Sequence, residues 1–167
     1  MIRNIKTILT VLLILIAVGS CDNFDISSKQ SDTFIKFYGA SALDYGSDVK
    51  QLPNGNYFIT GTISLSESNT SAFTLVTDEY GNSATDLKII DGKTNASSRI
   101  SMTALLPDGG IAAIGTYQVR SGNNDIWVLR FNNLGDTIWT RKFGSSNNDE
   151  GFGLTINENN EIVCIGY

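Results

Sequence analysis

The groups in this 167-residue chain that can do chemistry are carboxylates, side-chain amides, two tryptophans and two cysteines; histidine is absent. Without histidine there is no Ser-His-Asp triad, and the commonest general base and zinc ligand is missing. The adjacent pair Asp149 and Glu150 would suit acid/base work, but neighbouring strand residues point to opposite faces. Gly122, Asn123, Asn124 and Asp125 have the composition of a calcium loop without its D-x-[DN]-x-[DN]-G spacing or closing glutamate, so the stretch reads as a loop. Trp127 and Trp139 have the rings that stack on sugars, yet tryptophan in a strand belongs more often to a core. The glycines fall at turns and strand ends, and none forms a phosphate-binding loop. The sequence therefore offers no catalytic constellation, no cofactor site and no metal site.

Two acids recur. Asp44 and Asp149 stand at the same place in two copies of one pattern, as do Gly39 and Gly144. A reaction centre needs a group once, so a repeated carboxylate is expected to cap turn amides. The competing reading is a ring of carboxylates that holds a cation in a central channel. Cys164 sits in the apolar run "EIVCIGY" and is expected to be a buried thiol.

The elements that position these groups follow from the same repetition. "LPNGNYFITGTI", Leu52 to Ile63, returns as "LPDGGIAAIGTY", Leu106 to Tyr117, at an offset of 54. The stretch from Tyr38 to Gly61 aligns without a gap on Phe143 to Gly166, at an offset of 105, with six identities: Gly39, Ser41, Asp44, Gly46, Asn54 and Gly61 against their counterparts. A middle copy from Asp91 to Gly115 completes the series. Each unit reads as four strands. In the middle copy these are Arg99–Leu106, Ile111–Tyr117, Asp125–Phe131 and Ile138–Phe143. Pro107 to Gly110 makes the first turn. Ile126, Val128 and Arg130 alternate with Trp127, Leu129 and Phe131, the period of two of a strand. The fourth strand has its equivalents at Thr85 to Ile90 and at Phe34 to Phe37, the latter expected as an orphan outer strand.

Four antiparallel strands recurring every fifty-odd residues predict an all-β fold, a partial β-propeller of about two and a half four-stranded blades. An antiparallel sandwich with chance repeats is the alternative. The run W-x-[KR]-x-[FY]-G-x-S, then Asp, a P-[DN]-G turn and an apolar strand ending in Gly resembles the β-propeller repeats of secreted and lipid-anchored bacterial proteins. "WTRKFGSSNNDEG" is its nearest match. The resemblance covers Phe34 to Tyr167 and speaks to fold more than to function. Because propellers have four to eight blades, a fragment of a larger propeller is expected. Assembly of several copies into a ring is the other possibility.

The N-terminus has a different character. Arg3 and Lys6 precede an apolar run from Ile8 to Val18, then Gly19 and Ser20, the order of a secretory signal. Eleven residues are too few to span a bilayer. "VGSC", Val18 to Cys21, resembles the lipobox of bacterial lipoproteins. The resemblance implies cleavage before Cys21, acylation of that cysteine and a lipid anchor in the cell envelope. Asp22 is similar to the inner-membrane retention signal of enteric bacteria, a rule other groups do not follow; the outer membrane or cell surface is the expected location. Residues 1–20 are then a signal peptide, 21–33 a lipidated cysteine and polar tether, and 34–167 the repeat domain. "NTS" at Asn69 and "NAS" at Asn95 are sequons only in a eukaryotic secretory context.

From residue 21 onward the chain has 10 basic and 17 acidic residues, a net charge of −7, which excludes nucleic acid as a partner. Two function classes stay open. One is an envelope-anchored binding or scaffold module for a protein or glycan. The other is an envelope enzyme acting on polysaccharide, with catalytic carboxylates in further blades.

Overall fold

The computed structural model describes residues 35–39, 44–66, 69–91, 96–118 and 122–167. The expected signal peptide, the expected lipidated cysteine Cys21 and the expected tether lie outside the described residues. Ten strands form three antiparallel sheets, and no helix occurs among the described residues. The first sheet has the order β1 (Tyr45–Gln51), β2 (Tyr57–Ser66), β3 (Asn69–Thr77) and β4 (Lys88–Ile89). The second has β5 (Ser98–Leu105), β6 (Ile111–Gln118), β7 (Asn124–Phe131) and β8 (Thr137–Phe143). The third pairs β9 (Gly151–Ile156) with β10 (Ile162–Gly166). Every strand pairs with its sequence neighbour, so each sheet is a meander.

The all-β expectation holds, and the middle copy's strands fall within a residue of their predicted limits. The segment expected as an orphan outer strand, Phe34 to Phe37, is unpaired where it is described. Ile35–Gly39 have no strand pairing, and Phe34 lies outside the described residues. Lys36 Nζ donates to Asn82 Oδ1 at 3.2 Å, and the Tyr38 hydroxyl donates to the Gly81 carbonyl at 2.6 Å, so side chains rather than a ladder hold this segment. A strand needs a free edge beside it, and residue pattern alone does not supply one.

The turns show why these residues make hairpins. Leu52 N donates to Asn56 O and Gly55 N to Leu52 O. The same two bonds recur between Leu106 and Gly110, and between Asn157 and Glu161. Each turn needs one residue at positive φ. Gly55 (φ 89°) and Gly109 (φ 80°) take it in the first two copies, and Asn160 (φ 62°) in the third. The β3–β4 and β7–β8 turns are closed from the side chain: Asp78 Oδ1 accepts the amides of Tyr80 and Asn82, and Asn132 Oδ1 those of Leu134 and Asp136.

A second recurring device sets the register. The first strand of every sheet carries a bulge, at Gly46/Asp48, at Ile100/Met102 and between Gly151 and Gly153. Opposite it stand Gly61, Gly115 and Gly166. A Cβ on any of the three would lie against the bulged strand's carbonyl, 2.3 Å from Tyr45 O, 1.9 Å from Arg99 O and 2.3 Å from Glu150 O. Each of these glycines is there because the bulge brings a backbone where a side chain would stand.

The sheets stack through alternate faces. Phe58, Ala72 and Val76 of the first sheet pack on Ile111, Ala113, Trp127, Leu129 and Phe131 of the second. The rings of Phe58 and Phe131 lie 5.6 Å apart, and Trp127 meets Tyr117 edge-on at 5.4 Å. Each fully buried aromatic contributes roughly 2–3 kcal/mol by the area it removes from water. Ala112, Ile114 and Val128, on the other face of the second sheet, pack on Leu154 of the third. β6 of the central sheet is thus buried on both faces, which is why "IAAIG" has no polar face.

Candidate functional site

The first strands of the three sheets come together, and their contacts join one repeat to the next. Asp48, at the β1 bulge, reaches into the second sheet. Its Oδ2 accepts the Thr103 amide at 2.7 Å and the Thr103 hydroxyl at 2.8 Å, while Oδ1 accepts Lys50 Nζ at 3.0 Å. Burial works against the Asp48 charge, but the bonds from Thr103 and Lys50 outweigh it, so its carboxyl titrates below the ordinary aspartate range. Between the second and third sheets, Ser101 Oγ donates to Gly151 O at 2.7 Å, and Arg99 Nη2 pairs with Glu150 Oε2 at 2.6 Å. Glu150 Oε1 also accepts Asn124 Nδ2 at 3.4 Å.

At the same end of these strands opens a polar cleft of about 190 Å³, lined by Tyr45, Ser97, Arg99, Thr116, Gln118 and Asn124 among others. Ser97 Oγ is already engaged, accepting Thr70 N at 3.3 Å and donating to Asn69 Oδ1 at 3.5 Å. Thr116 is 4% exposed, and its hydroxyl makes no hydrogen bond, as is true of the equivalent Thr62 hydroxyl in the first sheet. The cleft presents an aromatic ring, amides, hydroxyls and an internally neutralised ion pair. That chemistry suits recognition of a polar group. It lacks a nucleophile paired with a base.

The sequence candidates are dispersed. The Asp149 carboxylate accepts the amide of Ser145 at 2.7 Å and its hydroxyl at 3.0 Å, the expected capping role. Asp44 Oδ1 accepts Ser64 N at 3.2 Å. No group of three or more acids, cysteines or histidines that could hold a metal ion occurs among the described residues. Asp149 and Glu150 precede β9 rather than lying in it, and they serve different partners, Ser145 and Arg99. Asn124 and Asp125 belong to β7, so of the four residues read as a loop only Gly122 and Asn123 lie outside a strand. Trp127 is fully buried, whereas Trp139 is half-buried in a groove with Arg141 5.5 Å above its ring. Asn69 is 7% exposed, so its sequon is inaccessible; Asn95 lies outside the described residues.

Cys164 is a correction. It is exposed rather than buried, because its strand β10 is the outer strand of a two-stranded sheet. The apolar walls around it still raise its thiol above the ordinary cysteine value. Asp48, Arg99 and Glu150 were not singled out from sequence. Tyr45, Arg99 and Glu150 occupy one repeat position, and their divergence against a constant glycine frame was the available signal. No helix among the described residues is long and apolar enough to cross a membrane. No protein-family model matches the sequence, and a search of curated proteins found no match.

Proposed function

We propose that this chain is a bacterial cell-envelope lipoprotein, anchored through Cys21, whose repeat domain is a propeller-type binding or scaffold module. The observation that carries the binding role is how the copies differ. The bulge, its facing glycine and the hairpin turn are kept in all three, while the equivalent position at the strand end is Tyr45, Arg99 or Glu150. A constant frame presenting varied residues at one end is how repeat folds build recognition surfaces. Three meander sheets with their first strands together support the propeller reading. The anchor rests on "VGSC" behind a charged and then apolar N-terminus. The ligand class is a protein or glycan of the envelope, gripped at the cleft end.

Metabolic labelling with a clickable fatty acid tests the anchor: the wild type takes the label and Cys21→Ser does not. Equal labelling refutes it. Binding is read by applying the labelled Cys21→Ser chain to an array of bacterial glycans and to envelope protein blots. Signal that falls at least tenfold in Tyr45→Ala and Arg99→Ala supports the cleft. Signal indifferent to both substitutions places recognition elsewhere and overturns the cleft assignment.

A further inference from the structure

Asn54 is the only asparagine in the sequence that is followed by glycine. It stands exposed in the β1–β2 hairpin turn, and Leu52 to Asn56 are all described. Its side chain folds back on the turn: Oδ1 accepts the Asn56 amide at 3.2 Å. That contact sets the Asn54 carboxamide beside the peptide bond to Gly55, whose missing Cβ leaves the amide nitrogen uncrowded.

The chemistry this placement permits is ring closure. The Gly55 nitrogen adds to Asn54 Cγ, giving a five-membered ring, and negative charge develops on Oδ1. The Asn56 N–H already points at that oxygen, the position of an oxyanion donor. The Cγ–Nδ2 bond then breaks, and ammonia leaves with the proton that Gly55 gave up. Water opens the succinimide at either carbonyl. One opening yields aspartate in the ordinary backbone; the other yields isoaspartate, with one methylene more in the main chain. One water is consumed, one ammonia is released, and nothing is oxidised or reduced. The Gly55 amide donates to Leu52 O at 2.9 Å, so closure waits on the opening of that bond in an exposed turn.

The second copy shows what the product meets. Asp108 stands at the place of Asn54, and its Oδ1 accepts the Gly110 amide at 3.0 Å, so aspartate is compatible with the turn. Asp108 is paired with Arg130. In the first copy Val76 takes the place of that arginine, since Phe58 pairs with Val76 as Ala112 pairs with Arg130. The Glu79 carboxylate lies against the turn instead, with Oε2 3.6 Å from where a Gly55 Cβ would be. An acid at Asn54 therefore adds a second negative charge without the arginine that serves Asp108.

We propose that Asn54 is a self-modifying site, converted through a succinimide with Gly55 to aspartate and isoaspartate. The first hairpin thereby gains one negative charge with time.

Incubation of the full chain, folded in mild detergent, at pH 7 and pH 9 tests this, with peptide mapping by mass spectrometry. Asn54 is expected to become heavier by about 1 Da, in two chromatographic forms, faster than any other asparagine. The rate is expected to rise with pH, because the nucleophile is the deprotonated amide. Gly55→Ala puts a Cβ beside the attacking nitrogen and is expected to slow conversion roughly tenfold; circular dichroism checks its fold. Asn54→Gln, which would have to close a six-membered ring, is expected to stay unconverted. An Asn54 that stays intact while other asparagines convert, a single product form, or a Gly55→Ala chain that converts as fast as the wild type overturns the proposal.

Discussion

Asp48 is the side chain whose removal should separate the first sheet from the second most directly. It accepts two bonds from Thr103, a residue 1% exposed, so in Asp48→Ala both the Thr103 amide and hydroxyl lose their partner away from water. Hydrogen bonds to a charged acceptor contribute about 1.5–3 kcal/mol each and do not add fully, which sets the loss near 3 kcal/mol. That is a large part of the 5–15 kcal/mol that holds a typical domain. The Lys50 contact contributes little: the pair is partly solvated, with side chains 29% and 17% exposed, and Lys50→Met is expected to cost under about 1 kcal/mol. The pH dependence identifies the charge. Because the folded carboxyl lies below its unfolded value, its contribution is present above the unfolded pKa of about 3.9 and is lost as pH falls through the folded value. Asp48→Asn stays neutral throughout, so its deficit against the wild type should be largest at pH 7 and shrink below about pH 4. Urea unfolding followed by tryptophan fluorescence, at one protein concentration, reads both effects. A deficit below about 0.5 kcal/mol, or one independent of pH between 7 and 3, refutes the assignment.

The facing glycines make a paired comparison. Gly115→Ala places a Cβ 1.9 Å from the Arg99 carbonyl and should cost about 3 kcal/mol or more, whereas Gly109→Ala has open space, carries only the strain of φ 80° and should cost about 1–2 kcal/mol. Equal melting temperatures for the two variants would contradict the bulge argument. Cys164, although exposed, should react slowly with iodoacetamide at pH 7 because its thiol is held above the ordinary value; the rate should climb beyond pH 9, and a rate at pH 7 matching free cysteine would show the apolar walls to be ineffective.

Local order was legible in the sequence because turns and alternation are local. Pro107 to Gly110 and the alternation of Trp127, Leu129 and Phe131 fix a hairpin and its faces without reference to anything distant. The repeat of Gly61, Gly115 and Gly166 was visible as spacing, but its cause, a bulged backbone crossing opposite, needs the paired strand. Asp48 gave no sign because Met102 and Gly153 stand at its place in the other copies, and its partner belongs to the next sheet. Cys164 was misread for a related reason. An apolar strand pattern reports what a residue prefers, and exposure depends on whether a neighbouring strand covers it. Phe34 to Phe37 had a strand-like pattern, and its described part, Ile35–Phe37, pairs with no described strand, as an outer strand without the rest of its blade would not.

The bulge and its facing glycine also bear on how such a gene lengthens. Both partners of each lock lie within one hairpin, Gly46 with Gly61, Ile100 with Gly115, Gly151 with Gly166. Unequal crossing-over that duplicates or deletes one unit of fifty-odd codons therefore carries its alignment instructions along with it. The new hairpin cannot slide by one residue against itself without driving a carbonyl into a side chain. Point substitutions elsewhere are then free to diversify the strand ends while every inherited unit still zips in phase. Copy number and surface chemistry can drift separately under selection, since the lesion that would couple them, a register slip, is blocked inside each unit.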